Sequence, residues 1–331
     1  EQNVSLIGVG DSGEALQLRR AGIKTRLLIL GIAIDSEIPA ILENDIEVGV
    51  HSEKRIQELA AFATQYNKPL GVHLEIDTGM GRLGIRPEAI KRIAHALNDN
   101  PQLVLRGVMS HFASNAGDNS EFTEQQNMLF LSAIDELRAL LPQANFECHI
   151  ANSAAMFTSL KPLGDAVRPG ISLFGILPKH LPQAELKPVL SLRTQIAFYK
   201  DVPSNTPIGY DSTWISHEST RIATLPFGYN DGMAYRSGLS GNSQVLVRGQ
   251  RCPIVGKISM DYCTIDVGHV VDANVGDVVT IIGKDGDEQI CAQDVAANAG
   301  TISYEVCCSI GSRVSRRYID ASSASESQLH A

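Results

Sequence analysis

Arg82, in the stretch LGVHLEIDTGMGRLG at residues 70–84, stands between Gly81 and Gly84. Flanks of so little bulk let a guanidinium approach a ligand closely. An apolar, β-branched run that stops at a glycine-rich turn is how a parallel α/β sheet hands side chains to a site at its carboxyl end. Asp77, Thr78 and Met80 arrive there with Arg82. His111 ends another apolar run, in MSHFAS; a lone histidine there is either held in a hydrogen bond or used in acid–base work. Asn152-Ser153 and Arg168-Pro169-Gly170-Ile171 close two more runs. A serine hydroxyl together with the N–H groups of 170 and 171 could cradle a phosphate, as the last strand-end loops of a barrel do. The other reading is Ser153 as a helix N-cap and Gly170 as a packing glycine. Further on, Tyr210 (PIGYDSTW), Tyr229 (PFGYNDG) and Tyr304 (TISYEV) stand at turn-rich positions. A tyrosine with a reference pKa of about 10 serves as a base only beside a cation or a polarised histidine. No pair of histidines has metal-ligand spacing, so no metal site is expected.

The elements that would carry these residues follow a tandem pattern. Apolar runs at 4–9, 26–31, 46–50, 70–76, 105–111, 145–152 and 166–175 alternate with helical patterns. DSGEALQLRRAG reads as a helix capped by Asp11 or Ser12 and ended by Gly22, and Ser52 caps the helix before residue 66. Seven βα-type units point to a parallel (β/α)8 TIM-type barrel, one strand short. The first βα unit is therefore expected to be missing from the N-terminus of this chain. An open, doubly wound sheet is the alternative, but no GxGxxG follows the first run. After about residue 187 the pattern alternates with period two and is rich in Val, Ile and Thr, with turns at Arg248-Gly249 and Lys284-Asp285-Gly286. That gives a barrel domain over 1–187, a mostly β domain over 188–319 with one helix (AQDVAANAG), and a Ser-rich disordered tail over 320–331.

Composition narrows the function. A net charge of −9 over 331 residues, with no basic cluster, argues against a nucleic-acid partner. No apolar run is long enough to span a membrane. Cys148, Cys252, Cys263, Cys291, Cys307 and Cys308 form no CxxC, which fits buried thiols in a reducing, cytoplasmic compartment. Cys307 and Cys308, read as strand neighbours, would face opposite ways and form no bridge. The opening EQNVSLIGVG is neither a signal peptide nor a natural start.

Taken together, IDTGMGRLG, SHFA, ANSAA, VRPGISLFG, GYDSTW, PFGYNDG, CPIVGKISMD and TISYEV, in this order, resemble the alanine racemase family. The resemblance covers nearly the whole chain, and the combination is specific where no single motif is. It implies a pyridoxal 5'-phosphate enzyme, an isomerase interconverting L- and D-alanine and supplying D-alanine for cell-wall peptidoglycan. It implies a homodimer whose active sites are shared across the interface. By position, Arg168 would face the pyridine nitrogen and, as a protonated donor, leave that nitrogen unprotonated. Ser153, Gly170, Ile171 and Tyr304 would hold the phosphate, with Asn152 beside them. Arg82 would meet the ring's phenolic oxygen and the substrate carboxylate, which the backbone of Met260 would also contact. Tyr210, reaching into the partner's barrel, would be one of two bases, and His111 would polarise it while linked to Arg168. Tyr229 would line the entrance.

Racemisation needs a base on each face of a planar carbanion. The family's second base is a cofactor lysine in a V-x-K-A-N-A-Y-G stretch on the first strand, and this sequence has no such stretch. The strand count and the motif count thus leave the same gap. Glu75 stands where many members carry a lysine whose carbamate positions Arg82; it is read as a built-in carboxylate bonded to Arg82. Lys257 replaces a usual arginine and Asp211 a usual glycine. The alternatives are a serine or broad-specificity racemase, a lysine-less non-catalytic homologue that binds pyridoxal phosphate, and, more weakly, a fold-related decarboxylase.

Overall fold

The computed structural model describes residues 4–114, 120–158, 160, 164–177 and 186–319. They form two compact units, the first running to Leu173 and the second from Leu186, with Phe174–Ile176 belonging to the second. Residues 320–331, read above as a tail, lie outside the described residues.

The first unit is a parallel sheet of six strands, β1 (Leu6–Val9), β2 (Arg26–Ile29), β3 (Ile46–Val50), β4 (Leu70–Glu75), β5 (Leu103–Met109) and β6 (Glu147–His149), in sequential order. Helices α1 (Ser12–Arg20), α2 (Ile38–Glu43), α3 (Glu53–Gln65), α4 (Ile90–Asn98) and α5 (Ser120–Leu140) alternate with them. Sequential order without reversal means that right-handed crossovers put every helix on one face, the winding of a barrel and not of a doubly wound sheet. Local signals start the helices as expected: the Asp11 carboxylate accepts from the Glu14 N–H at 2.9 Å, and the Ser52 hydroxyl from the Arg55 N–H at 3.1 Å.

Side-chain alternation divides the sheet into two chemically different faces. Leu27 and Ile29, Ile46, Val48 and Val50, Leu70, Val72 and Leu74 join Ile56, Leu59, Ile90 and Ile93 of the helices in one buried core. Burying each such side chain contributes about 1.5–3 kcal/mol, which is what holds the helical layer on. The opposite face carries Arg26, Glu47, Gly71, His73, Glu75, Gly107, Glu147 and His149 instead. The covered face holds the unit together, and the polar face is left for chemistry.

Among the described residues the expected count of seven strands is corrected to six. The run at 166–175 contributes a single parallel bridge, Ala166 to His149, and then a 3-10 turn, Ile171–Phe174. Pro169 has no N–H to extend a ladder, and Gly170 adds no side chain to pack. The helix expected after Asn152 is likewise one 3-10 turn, Ala155–Phe157. Among the described residues β1 pairs only with β2, so the sheet is a curled part-barrel and not a closed one.

The second unit is mostly antiparallel. Cys263–Asp266, Thr220–Leu225 and Phe198–Val202 form one sheet; Gln250–Pro253, Gln244–Val247, Val278–Asp285 and Glu288–Ile290 form another, joined by Leu192–Gln195. Arg248 and Gly249, with φ of 50° and 73°, make the two-residue turn between Val247 and Gln250. Positive φ at both positions is what such a hairpin turn requires. Among its described residues this unit has two helices where one was expected: α6 (Ala292–Ala299) and α7 (Ser303–Ser309). The SYEV of TISYEV is thus helical, and Cys307 and Cys308 are helix neighbours, not strand neighbours; both are free thiols. Among the described residues no helix is long and apolar enough to cross a membrane.

Candidate functional site

The carboxyl ends of β4, β5 and β6 bring Arg168, His111, Ser110, Asn152, Ser153 and Gly170 into one neighbourhood. Arg168 is its centre. Its Nη1 donates to the His149 carbonyl oxygen at 2.8 Å and to the His149 ring Nδ1; its Nη2 donates to the Ser110 carbonyl oxygen at 2.6 Å. Nη2 also points to Nδ1 of His111 and to the Ile150 carbonyl oxygen, both at 3.4 Å. Nε has no acceptor among the described residues, which leaves one N–H of a tightly gripped guanidinium available to a ligand atom. Burial pulls Arg168 down to about 10, still far above neutrality, so it stays a cation.

Because guanidinium nitrogens only donate, the ring nitrogens facing them must accept. His111 and His149 therefore carry their protons on Nε2. Burial, and after it the charge of Arg168, lowers His111 to about 4 and His149 to about 2. Both stay neutral in the folded chain while the unfolded chain protonates them near 6.5. The sign follows: from about pH 6.5 down to 4 the unfolded chain binds more protons, so stability falls on acidification. Each histidine contributes about 1.4 kcal/mol per pH unit across that window. Urea unfolding between pH 8 and 4 is expected to show this slope, reduced in His149→Gln; an unreduced slope in that variant would exclude a neutral His149.

The strand-end loops are fixed by short polar contacts. Gln126, buried on α5, accepts from the Ala113 N–H at 3.0 Å and donates to the His111 carbonyl oxygen at 3.2 Å. Asp77 Oδ1 accepts from the N–H groups of Gly79 (3.0 Å) and Gly81 (2.9 Å), shaping the loop that carries Arg82. Gly84, at φ 106°, closes it; an added Cβ would lie 2.7 Å from the Asp77 nitrogen. Arg82 itself is exposed.

The expected Glu75–Arg82 bond is not made. Glu75 is buried near the end of β4, its Oε2 has no hydrogen bond, and it faces His51 Nδ1 at 3.8 Å, a ring that burial pushes toward its neutral form. Burial raises the Glu75 carboxyl and Arg82 and Arg168 oppose the shift, so the charges sense one another across space without a direct contact. A strand side chain and an exposed loop side chain have no common hydrogen-bonding position here.

The Asn152–Ser153 segment also differs in detail. Asn152, not Ser153, heads the short turn, its Oδ1 accepting from the N–H groups of Ala154 and Ala155 at 3.1 Å each. The buried Ser153 Oγ meets the Gly170 N–H at 2.8 Å, the Ser172 N–H at 3.3 Å and the Ser172 hydroxyl at 3.1 Å. The Gly170 N–H is thus already used. The Ser153 hydroxyl keeps a proton to donate, and a Cβ at Gly170 would meet only that oxygen, at 3.9 Å. The cradle is open, and the donor left over in it is the Ser153 hydroxyl.

Tyr210, Tyr229, Met260 and Tyr304 belong to the second unit. Tyr210 is 68% exposed, in a turn where Gly209, Asp211 and Ser212 all have positive φ. Asp211 is paired with Lys257 at 2.5 Å. Gly209, Tyr210, Lys257, Ser259, Tyr262 and Thr264 border a surface cavity of about 390 Å³. Tyr229 meets Tyr235 edge-on at 6.2 Å, and the Met260 carbonyl oxygen accepts from the Asn230 N–H at 3.0 Å. Tyr304 lies in the first turn of α7, its hydroxyl group raised by burial.

Residues not anticipated from sequence complete the polar face: Ser172 beside Ser153, and His149, His73, Glu47 and Arg26 behind Arg168. Their signal was faint: in RLLI, IEVGV, LGVHLE and ECH the polar residues share the alternate positions with Leu28, Gly49 and Gly71 and are hidden by the apolar residues between.

With this geometry in view, residues 1–178 match the family described as alanine racemase, N-terminal domain, and residues 189–318 match alanine racemase, C-terminal domain. The alanine racemase of Halothermothrix orenii is 37% identical over 320 residues, covering 96% of this chain and 84% of that protein. The alanine racemase of the D-cycloserine producer Streptomyces lavendulae superimposes with a TM-score of 0.89 at 30% identity, over 96% of this chain and 84% of that one. That of Bacillus anthracis, solved with bound L-Ala-P, gives 0.84 at 35% identity, over 93% and 79%. The chain belongs to the alanine racemase family.

Proposed function

We propose that this chain interconverts L- and D-alanine by a two-base mechanism on pyridoxal 5'-phosphate, within a (β/α)8 barrel whose first unit supplies the cofactor lysine. The observation that carries the reading is the grip on Arg168: five nitrogen and oxygen acceptors hold the two Nη groups and leave Nε–H as a donor. That is the donor an unprotonated pyridine nitrogen needs. The Ser153 hydroxyl beside the open Gly170 suits a phosphate, with Ile171 and Tyr304 adding donors and Asn152 holding the turn. The residues present fit the cofactor.

Bound pyridoxal phosphate supplies an electron sink that acidifies the α-proton of the amino acid. Arg168, by donating without giving up its proton, limits that sink and so disfavours transamination. Arg82 pairs with the substrate carboxylate, helped by the backbone of Met260. Tyr210 moves a proton at its Oη on one face. Neutral His111, with its proton on Nε2, donates to that oxygen and stabilises the tyrosinate. The exposure of Tyr210 supports a homodimer in which this side chain enters the partner's site, past an entrance lined by Tyr229. D-Alanine made in the cytoplasm would serve cell-wall synthesis.

The test is racemisation of L-alanine, followed by chiral separation, using the polypeptide from its complete reading frame with pyridoxal phosphate. Borohydride reduction and peptide mapping then locate the cofactor lysine. Racemisation with a labelled lysine outside residues 1–331 is expected; binding of the cofactor with neither racemisation nor a labelled lysine would establish the non-catalytic reading instead.

A further inference from the structure

We propose that Glu47 and His73 are positioning residues for Arg168, acting through His149 along a buried relay that crosses the polar face of the sheet. The relay begins where Arg168 donates to Nδ1 of His149. With that nitrogen an acceptor, His149 must hold its proton on Nε2, which lies 2.9 Å from Nδ1 of His73. His73 therefore accepts at Nδ1 and donates from Nε2 to Glu47 Oε2 at 2.7 Å. Glu47 is held in turn by Arg26, Nε to Oε1 at 2.7 Å and Nη2 to Oε2 at 3.0 Å, and Arg26 Nη1 reaches Glu147 at 3.1 Å. In the three links from Arg168 to Glu47 each donor points the same way, from the cation at the carboxyl end of the strands to the carboxylate near their amino end.

The fold keeps room for these links. His73 is fully buried and His149 is 1% exposed. A Cβ on Gly107, the register partner of His73 on β5, would lie 2.1 Å from His73 Nδ1. A Cβ on Gly71 would lie 2.9 Å from Glu47 Cγ. Burial raises Glu47, yet the hydrogen bonds from His73 and Arg26 outweigh it and bring the carboxyl to about 2, so the relay ends on a fixed anion. Apolar side chains would pack such a face more simply, since buried ionic groups are rarely the most stable filling. What the relay adds is direction. A carboxylate anchored at one end fixes both ring tautomers, and the tautomer of His149 fixes the acceptor that orients Arg168.

The link to catalysis rests on the reading that Arg168 meets the cofactor; the relay itself does not, and the two are tested separately. In cofactor-free full-length protein, ¹⁵N-histidine spectra, assigned with His73→Gln and His149→Gln, are expected to show both rings protonated on Nε2. Glu47→Gln keeps the shape but removes the charge, and is expected to abolish the single-tautomer signal of His73 and His149. With cofactor bound, Glu47→Gln is expected to lower kcat about tenfold and leave KM for alanine unchanged, with Glu47→Asp recovering part of the loss. Unchanged tautomers in Glu47→Gln would overturn the relay. Altered tautomers with unchanged kcat would make Glu47 a purely structural residue. Altered tautomers in a protein that racemises nothing would leave the relay standing and remove the racemase reading.

Discussion

Arg168→Ala is expected to destabilise the first unit by about 3–5 kcal/mol and to abolish racemisation. The side chain donates to backbone carbonyls of Ser110, His149 and Ile150, tying the end of β5 to that of β6. Removing it strands those oxygens inside the fold, and each buried acceptor left unpaired costs about 1–3 kcal/mol. Arg168→Lys keeps a charge but loses the planar fork, so it is expected to fall between the two. The single tryptophan, Trp214, lies in the second unit; amide hydrogen exchange in β5 and β6 is therefore the measurement that reports on the damage. Undiminished protection there would show that the arginine contributes nothing to the strand ends. In the same variant His111 and His149 are expected to titrate closer to 6.5, because the cation that opposes their protonation is gone.

The second large effect is on chemistry alone. Tyr210→Phe removes one exposed hydroxyl, so stability is expected to change by less than about 0.5 kcal/mol. Racemisation is expected to fall about 10²–10⁴-fold, the range for losing a positioned proton-transfer group. Because the two enantiomers have equal free energy, kcat/KM must fall equally in both directions. Exchange of the α-proton with deuterated solvent need not. One base remains, so the enantiomer that it serves is expected to exchange without inverting. Equal loss of exchange from both enantiomers would mean that Tyr210 is not the base of one face.

Several of these features were legible in the chain before folding. Local chemistry set the caps at Asp11 and Ser52, the turn at Arg248-Gly249 and the βα alternation, since each depends on residues a few positions apart. The positions of Arg82, His111 and Ser153 in the segments that follow strand ends came from the same alternation. The irregular stretch at 166–175 was misread because apolar content alone does not distinguish a strand from a run interrupted by Pro169 and Gly170. Cys307 and Cys308 were read as strand neighbours because most of the second unit alternates as β, whereas after the turn at Gly300 residues Ser303–Ser309 are helical.

What only the tertiary structure decided is which long-range polar groups meet. Glu47, His73 and His149 are 26 and 76 residues apart in successive links, yet a one-residue change of register would turn each to the apolar face. Glu75 and Arg82 are close in sequence, but strand direction and loop geometry keep them from bonding. By itself the sequence determined the kinds of element and the identity of the chemical groups, because those depend on local pattern. Register and strand order determined the partners, because a buried hydrogen bond exists only where two strands place both atoms within reach.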